Sequence, residues 1–244
     1  MPDKFIKNRL TLIVLISACS VILISMGIRQ TFGLFFQVFE ENLGVTRTEF
    51  GLAIGIQMIF WGMFAPIFGL LADKFGGNKA VLAGFLIFGF GIYTLYSGPN
   101  TGIFFQINLG VLVGIALGAT AMSVPVSEVG KHFSNKERTL ATGIVTAAAS
   151  VGYFVAPLFT KYSLGNVGWE QTLKYFMYFI FFGLIASLFI LPKKEVTILK
   201  TEKNQNFLEA MKEAFSHKGY VLLVAGFFVC GFQITLVGTH VPGY

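Results

Sequence analysis

The chain has 244 residues, of which 55% are hydrophobic and only 12% charged, and its mean hydropathy is +0.72. A water-soluble domain carries about a quarter charged residues, so this composition excludes an ordinary soluble surface and points to a lipid bilayer as solvent. The net charge of +6 does not indicate nucleic-acid binding, because the basic residues sit in short gaps between apolar runs rather than on one face.

A bilayer span needs roughly 20 mostly apolar residues, since every backbone N–H and C=O must be paired inside the helix. Seven runs qualify, at about 10–39, 49–71, 79–97, 103–125, 139–160, 173–191 and 219–244. The first follows Lys4, Lys7 and Arg9. Its uncharged stretch 10–28 would make about 28 Å of helix, too long for the core of a signal peptide. It then holds Arg29, the one charge well inside an apolar run. Burying a guanidinium costs about 2.5–3.5 kcal/mol on insertion scales. Two readings stand: Arg29 faces a cavity that takes a small anion, or it snorkels to the outer interface. Ser25, Arg29 and Gly33 share a helical face.

The second and third runs are joined by Gly69-Leu70-Leu71-Ala72-Asp73-Lys74-Phe75-Gly76-Gly77-Asn78-Lys79. The chain must leave the membrane and re-enter within a few residues, and Gly76 and Gly77 offer the φ freedom that requires. Asp73 ends a helix, where the dipole disfavours an anion, so a cationic partner or a helix N-terminus is expected beside it. In the fourth run Gly110, Gly114 and Gly118 recur every four residues and predict close helix packing. Gln57, Gln106, Asn108 and Tyr153 are the other polar groups within spans, read either as helix–helix hydrogen bonds or as ligand contacts.

After the sixth run, Pro192 stops the helix, and the stretch to Lys218 is the most charged in the chain. Within it, apolar residues at 207, 208, 211, 214 and 215 predict a short amphipathic helix capped by Asn206, either on the membrane surface or in a solvated linker. The seventh run carries His240 and reaches Pro242-Gly243-Tyr244 with no charged anchor, so the expectation is a chain cut within its seventh span. Cys19 and Cys230 lie inside apolar runs and suggest neither a disulfide framework nor a metal site. Of the eighteen basic residues, fourteen fall on the side that holds the N-terminus and three on the other, which predicts a cytoplasmic N-terminus.

The loop carried by Gly69, Asp73, Lys74 and Gly76 resembles the motif G-x-L-a-D-[RK]-x-G-[RK]-[RK] of the major facilitator superfamily. Asn78 replaces one terminal basic position and Lys79 keeps the other. The motif lies between the second and third spans, as in that family, and six spans followed by a charged linker also agree. The resemblance implies an all-α membrane protein: a six-helix N-terminal bundle of two inverted three-helix repeats (1–192), a cytoplasmic linker (193–218) and the seventh helix of a second half (219–244). It implies alternating access, with Gly69, Asp73, Lys74, Gly76 and Arg138 in the cytoplasmic gate and the partner helix of Asp73 in the second half.

Gly27-Ile28-Arg29-Gln30-Thr31-Phe32-Gly33, Lys131-His132-Phe133 with Glu137-Arg138, and Gly231-Phe232-Gln233 with Thr239-His240-Val241-Pro242 look like the monocarboxylate and oxalate/formate branch. The fourth run lacks the Arg of the drug–proton antiporters, and the fifth reads Gly152-Tyr153-Phe154-Val155-Ala156-Pro157 where those carry G-x-x-x-G-P, which argues against that branch. The expectation is a plasma (inner) membrane transporter of a small organic anion, coupled to a proton or counter-anion, with Arg29, Gln57, Asn108 and Tyr153 as substrate contacts and no cofactor. The alternatives are a carrier of another metabolite, such as a sugar or drug, and a non-transport membrane sensor. The sequence has no paired carboxylates, H-E-x-x-H or phosphate loop, so no enzyme is expected.

Overall fold

A computed structural model describes residues 9–98, 102–191 and 207–240, and these residues form helices joined by short turns. Pro192, Asn206, the linker lysines from Lys193 to Lys203 and the stretch 241–244 lie outside the described residues. The chain divides into two units, Met1–Lys193 and Lys194–Tyr244.

In the first unit the spans are Arg9–Leu43, Arg47–Phe75, Gly77–Ser97 and Gly102–His132, followed by the 54-residue segment Asn135–Leu188. That last segment holds two spans. Gly168 has φ +79°, a conformation open to glycine, and the helix reverses there. Phe159 and Phe179, twenty residues apart, bring their ring centroids to 5.3 Å, where a straight helix would separate them by about 30 Å. The fifth and sixth spans are therefore 135–167 and 168–188. Residues 161–172, expected as an outer connection, are helical up to and beyond this single kink.

Two spans depart from regular α geometry. The first passes through a 3-10 turn at Phe32–Phe35, just after Arg29. The fourth is a π-helix over Gln106–Leu112, which changes the register of its faces ahead of Gly114 and Gly118.

Glycines set the distances between spans. On the fourth span, a Cβ at Gly110, Gly114 or Gly118 would lie within 3 Å of Ile56, the Gln57 carbonyl oxygen or Phe64 of the second. The stripe is thus a seam between two helices. The fifth span meets the first in the same way, since a Cβ at Gly152 would sit 2.5 Å from the Leu23 carbonyl oxygen. Gly183 of the sixth accepts the ring of Phe85 from the third. Exchanging spans one to three with four to six, in order, turns the first–fifth pair into the fourth–second pair and leaves the third–sixth pair in place. That is the contact pattern of two inverted three-helix repeats.

An aromatic plug fills the end of the unit remote from the Gly69–Lys79 motif. Phe39, fully buried, lies 5.3 Å from Phe35, 5.4 Å from Phe105 and 6.1 Å from Trp169, so it ties together spans one, four and six. Phe39→Ala is expected to cost about 3–5 kcal/mol through the cavity it leaves. Thermal unfolding of the detergent-solubilised chain would report this, and an unshifted midpoint would show that the plug carries no stability. At the same end, Thr46 and Glu49 form a reciprocal capping box at the start of the second span.

Among the described residues the second unit forms two helices, Phe207–Ser216 and Lys218–His240. The first lies where the sequence predicts a short helix. His217 alone separates the pair, and Phe215 meets Tyr220 edge-on at 5.4 Å.

Candidate functional site

Arg29 is 7% exposed and lies fourteen residues, about 21 Å of helix, short of Leu43. Its guanidinium does not run along the helix towards a bilayer surface. It turns onto the neighbouring spans: Cζ stands 5.4 Å from the centroid of Trp61, and Nη2 lies 3.4 Å from the sulfur of Met58. The Tyr153 hydroxyl, from the fifth span, is a further hydrogen-bond partner. The cation is thus held by a π face, a thioether and a phenol. These groups stabilise a guanidinium and carry no negative charge themselves. Met58, Trp61 and Tyr153 are half-buried, which brings the cluster to the surface of the six-helix unit.

The other expected substrate contacts are placed elsewhere. Gln57 is 1% exposed and its Nε2 donates to the Leu109 carbonyl oxygen at 2.9 Å, along the glycine seam. Asn108, in the π-helical stretch, accepts from the Thr94 hydroxyl at 2.8 Å and so joins the third and fourth spans. Ser25, expected on the face of Arg29, donates to the Thr120 carbonyl oxygen at 2.9 Å and is buried against the fourth span. Arg29 and Tyr153 are the two expected contacts that come together. Trp61 and Met58 were not legible as partners, because nothing in an apolar helix marks which of its side chains will face a cation on another span.

A second charged cluster lies at the motif end. Lys131, on the fourth span, bridges Asp73 at 2.8 Å and Glu128 at 3.0 Å. Asp73 therefore has the cationic partner its helix end required, and within this same unit. Glu128 is the residue the sequence reading missed. It is 1% exposed, and one carboxylate oxygen, Oε2, has no hydrogen-bond partner. Its side chain lies across Gly77, where a Cβ would come within 2.2 Å of Glu128 Cγ. The third span begins at Gly77 with no side-chain cap of its own, so Glu128 supplies an anion from another helix to its positive end.

This corrects the expectation for Gly77, which is helical and glycine for lack of space. Of the pair, Gly76 alone has a positive φ, +98°. Lys74 stacks over the Phe75 ring at 5.2 Å, and Arg138 covers Gly130. Gly69 has open space around it on the second span. Among the described residues no group of three His, Cys, Asp or Glu side chains could hold a metal ion.

Comparison with known proteins gives these features a setting. The sequence profile of the Major Facilitator Superfamily matches residues 18–244. The chain is 35% identical over 135 residues to the multi-drug resistance efflux pump PmrA of Streptococcus pneumoniae, covering 51% of this chain and 33% of that protein. It is 25% identical over 188 residues to monocarboxylate transporter 14 of Mus musculus, covering 70% of this chain and 35% of that one. The crystal structure of the POT family transporter PepTSo superposes with a TM-score of 0.61 at 17% identity, over 94% of this chain and 48% of that chain. The chain thus spans about half the length of that transporter, and its matches cover about a third of the two curated relatives.

Proposed function

This chain belongs to the Major Facilitator Superfamily, a family of multi-pass membrane transporters and not of enzymes, and from that premise we propose that it supplies one half of a secondary transporter for a small organic anion. The other wall of the cavity comes from a second bundle, as the share of its relatives that the chain covers suggests. The observation that carries the reading is Arg29: a guanidinium buried far from either end of its span and turned onto Trp61, Met58 and Tyr153. A small carboxylate entering beside it would exchange its hydration for a charge-assisted bond in a low-dielectric site, with Tyr153 as a second donor. The apolar walls suit a monocarboxylate with a short carbon chain, moved with a proton or against a counter-anion. The distribution of Lys and Arg favours the motif end in the cytoplasm, where Asp73, Lys74, Gly76, Gly69 and Arg138 would form the gate.

Reconstitution of the whole transporter in proteoliposomes, followed by uptake of labelled lactate, pyruvate and oxalate, tests this. Arg29→Ala is expected to weaken the apparent affinity about 10- to 150-fold, the worth of a hydrogen bond to a charged group, with Arg29→Lys recovering only part of it. Anion uptake unaffected by Arg29→Ala would overturn the proposal. Identity to PmrA favours a second reading, drug efflux. Export of a cationic dye from the same vesicles, with no anion uptake, would decide for it.

A further inference from the structure

The π-helical stretch of the fourth span has an identifiable holder. In a regular α-helix the Val113 N–H would donate to the Leu109 carbonyl oxygen. Here it donates to the carbonyl oxygens of Asn108 and Gly110, on either side. The Leu109 carbonyl oxygen accepts instead from Gln57 Nε2 of the second span at 2.9 Å, and Gln57 is 1% exposed. One residue nearer the plug, Asn108 Oδ1 accepts from the Thr94 hydroxyl of the third span at 2.8 Å. Two side chains on two neighbouring spans therefore fix the π register over Gln106–Leu112. That register also carries a cost, because Asn108 Nδ2 is buried without a hydrogen-bond partner. Such an orphan weighs about as much as one of the bonds gained.

The two ends of this span are held differently. Towards the motif, a Cβ at Gly114 or Gly118 would lie within 3 Å of the second span, so this part has no room to turn. Towards the plug, Phe105 is 4% exposed and its ring centroid lies 5.4 Å from Phe39 and 6.3 Å from Phe50. A π turn holds one residue more than the α turn it replaces. Closing it to α with the seam fixed turns the plug-end part by one residue, about 100° and 1.5 Å. Gln106 then takes the seat of Phe105, and an amide enters the plug in place of a ring. We infer that Gln57 is the positioning residue of a two-register helix. Bonded to Leu109, it keeps the span in the π register and the plug closed. On its release the span closes to α, and the plug end loosens while the seam stays packed. This holds whatever Arg29 binds.

The test is a distance measurement by electron paramagnetic resonance on the 244-residue chain in lipid nanodiscs. Cys19 and Cys230 are replaced by alanine, and spin labels are attached at Ile103→Cys and Tyr162→Cys, positions 73% and 72% exposed. A turn of one residue moves a side chain on a helix about 10 Å across by up to roughly 8 Å. The parent chain is expected to give one distance, and Gln57→Leu a second one displaced by about 4–8 Å. Deleting Leu109 removes the extra residue and leaves every other residue of the span on its present face. The parent distance should therefore return when Gln57→Leu is combined with that deletion. Thr94→Val, which removes the other bond holding the register, should also give the displaced distance, and it decides should the deletion chain not fold. An unshifted distance in Gln57→Leu overturns the inference. So does a displacement that survives the deletion, which would mean a seam pried apart and not a change of register.

Discussion

Lys131→Ala is expected to destabilise the six-helix unit by about 3–5 kcal/mol, whereas Asp73→Asn should cost less than about 1 kcal/mol. Both changes break the same ion pair, so the asymmetry comes from what each leaves behind. The Asp73 side chain is 65% exposed, and without its partner it returns to water. The Glu128 side chain is 2% exposed, and Lys131 is the cation that compensates it. With Lys131 gone, a carboxylate already lacking a bond at one oxygen stays wedged against Gly77, stabilised chiefly by the positive end of the third span. Combining Lys131→Ala with Glu128→Gln should recover most of the loss, because a neutral amide needs no counter-charge there. Thermal unfolding in detergent micelles measures all four proteins. If Lys131→Ala proves no worse than Asp73→Asn, Glu128 is not the buried charge the geometry makes it. The result also bears on the gate: a lysine shared between an exposed and a buried carboxylate lets Asp73 come and go while the unit stays intact.

Which features the sequence could reveal follows from whether a signal is local. The spans were legible because insertion into hydrocarbon is decided by each helix alone, through its length and apolarity. Gly76 was legible because a tight turn between two spans leaves few residues able to make it. The stripe of Gly110, Gly114 and Gly118 showed that something approaches closely, without showing that it is the second span. The reversal at Gly168 was hidden, since 161–172 reads as an ordinary polar connection and helix continues up to the kink on both sides.

Glu128 was hidden for a related reason. In sequence it is one more acidic residue near a cluster of lysines, and only the packing of the fourth span against Gly77 buries it. Arg29 was visible as an anomaly, but its two readings differ by the direction of a side chain. That direction depends on Trp61, Met58 and Tyr153 being on facing helices. Gln57 and Asn108 carry the same limit: a buried amide must pair, and the sequence does not say whether with a ligand or with a neighbouring span.

The largest loss is expected from bulk in the seam between the second and fourth spans. A Cβ at Gly114 would stand 2.7 Å from the Gln57 carbonyl oxygen, 2.8 Å from Phe60 Cβ and 3.1 Å from Gln57 Cα. Two of those three atoms are backbone, so the contact cannot be relieved by a change of rotamer. The helices must separate, and with them goes the Gln57–Leu109 hydrogen bond that spans the same seam. Gly114→Ala should cost about 1–3 kcal/mol, and Gly114→Leu should yield no monodisperse folded species on size-exclusion chromatography in detergent. Gly62 supplies the control. It is a glycine of the second span around which a Cβ meets nothing within 4 Å, so Gly62→Ala should be neutral or stabilising by up to about 1 kcal/mol through helix propensity. Equal damage from the two alanine variants would mean that glycine flexibility holds this unit together. Damage confined to Gly114 would mean that close contact between helices does, as van der Waals packing requires where the surrounding lipid is as apolar as the side chains.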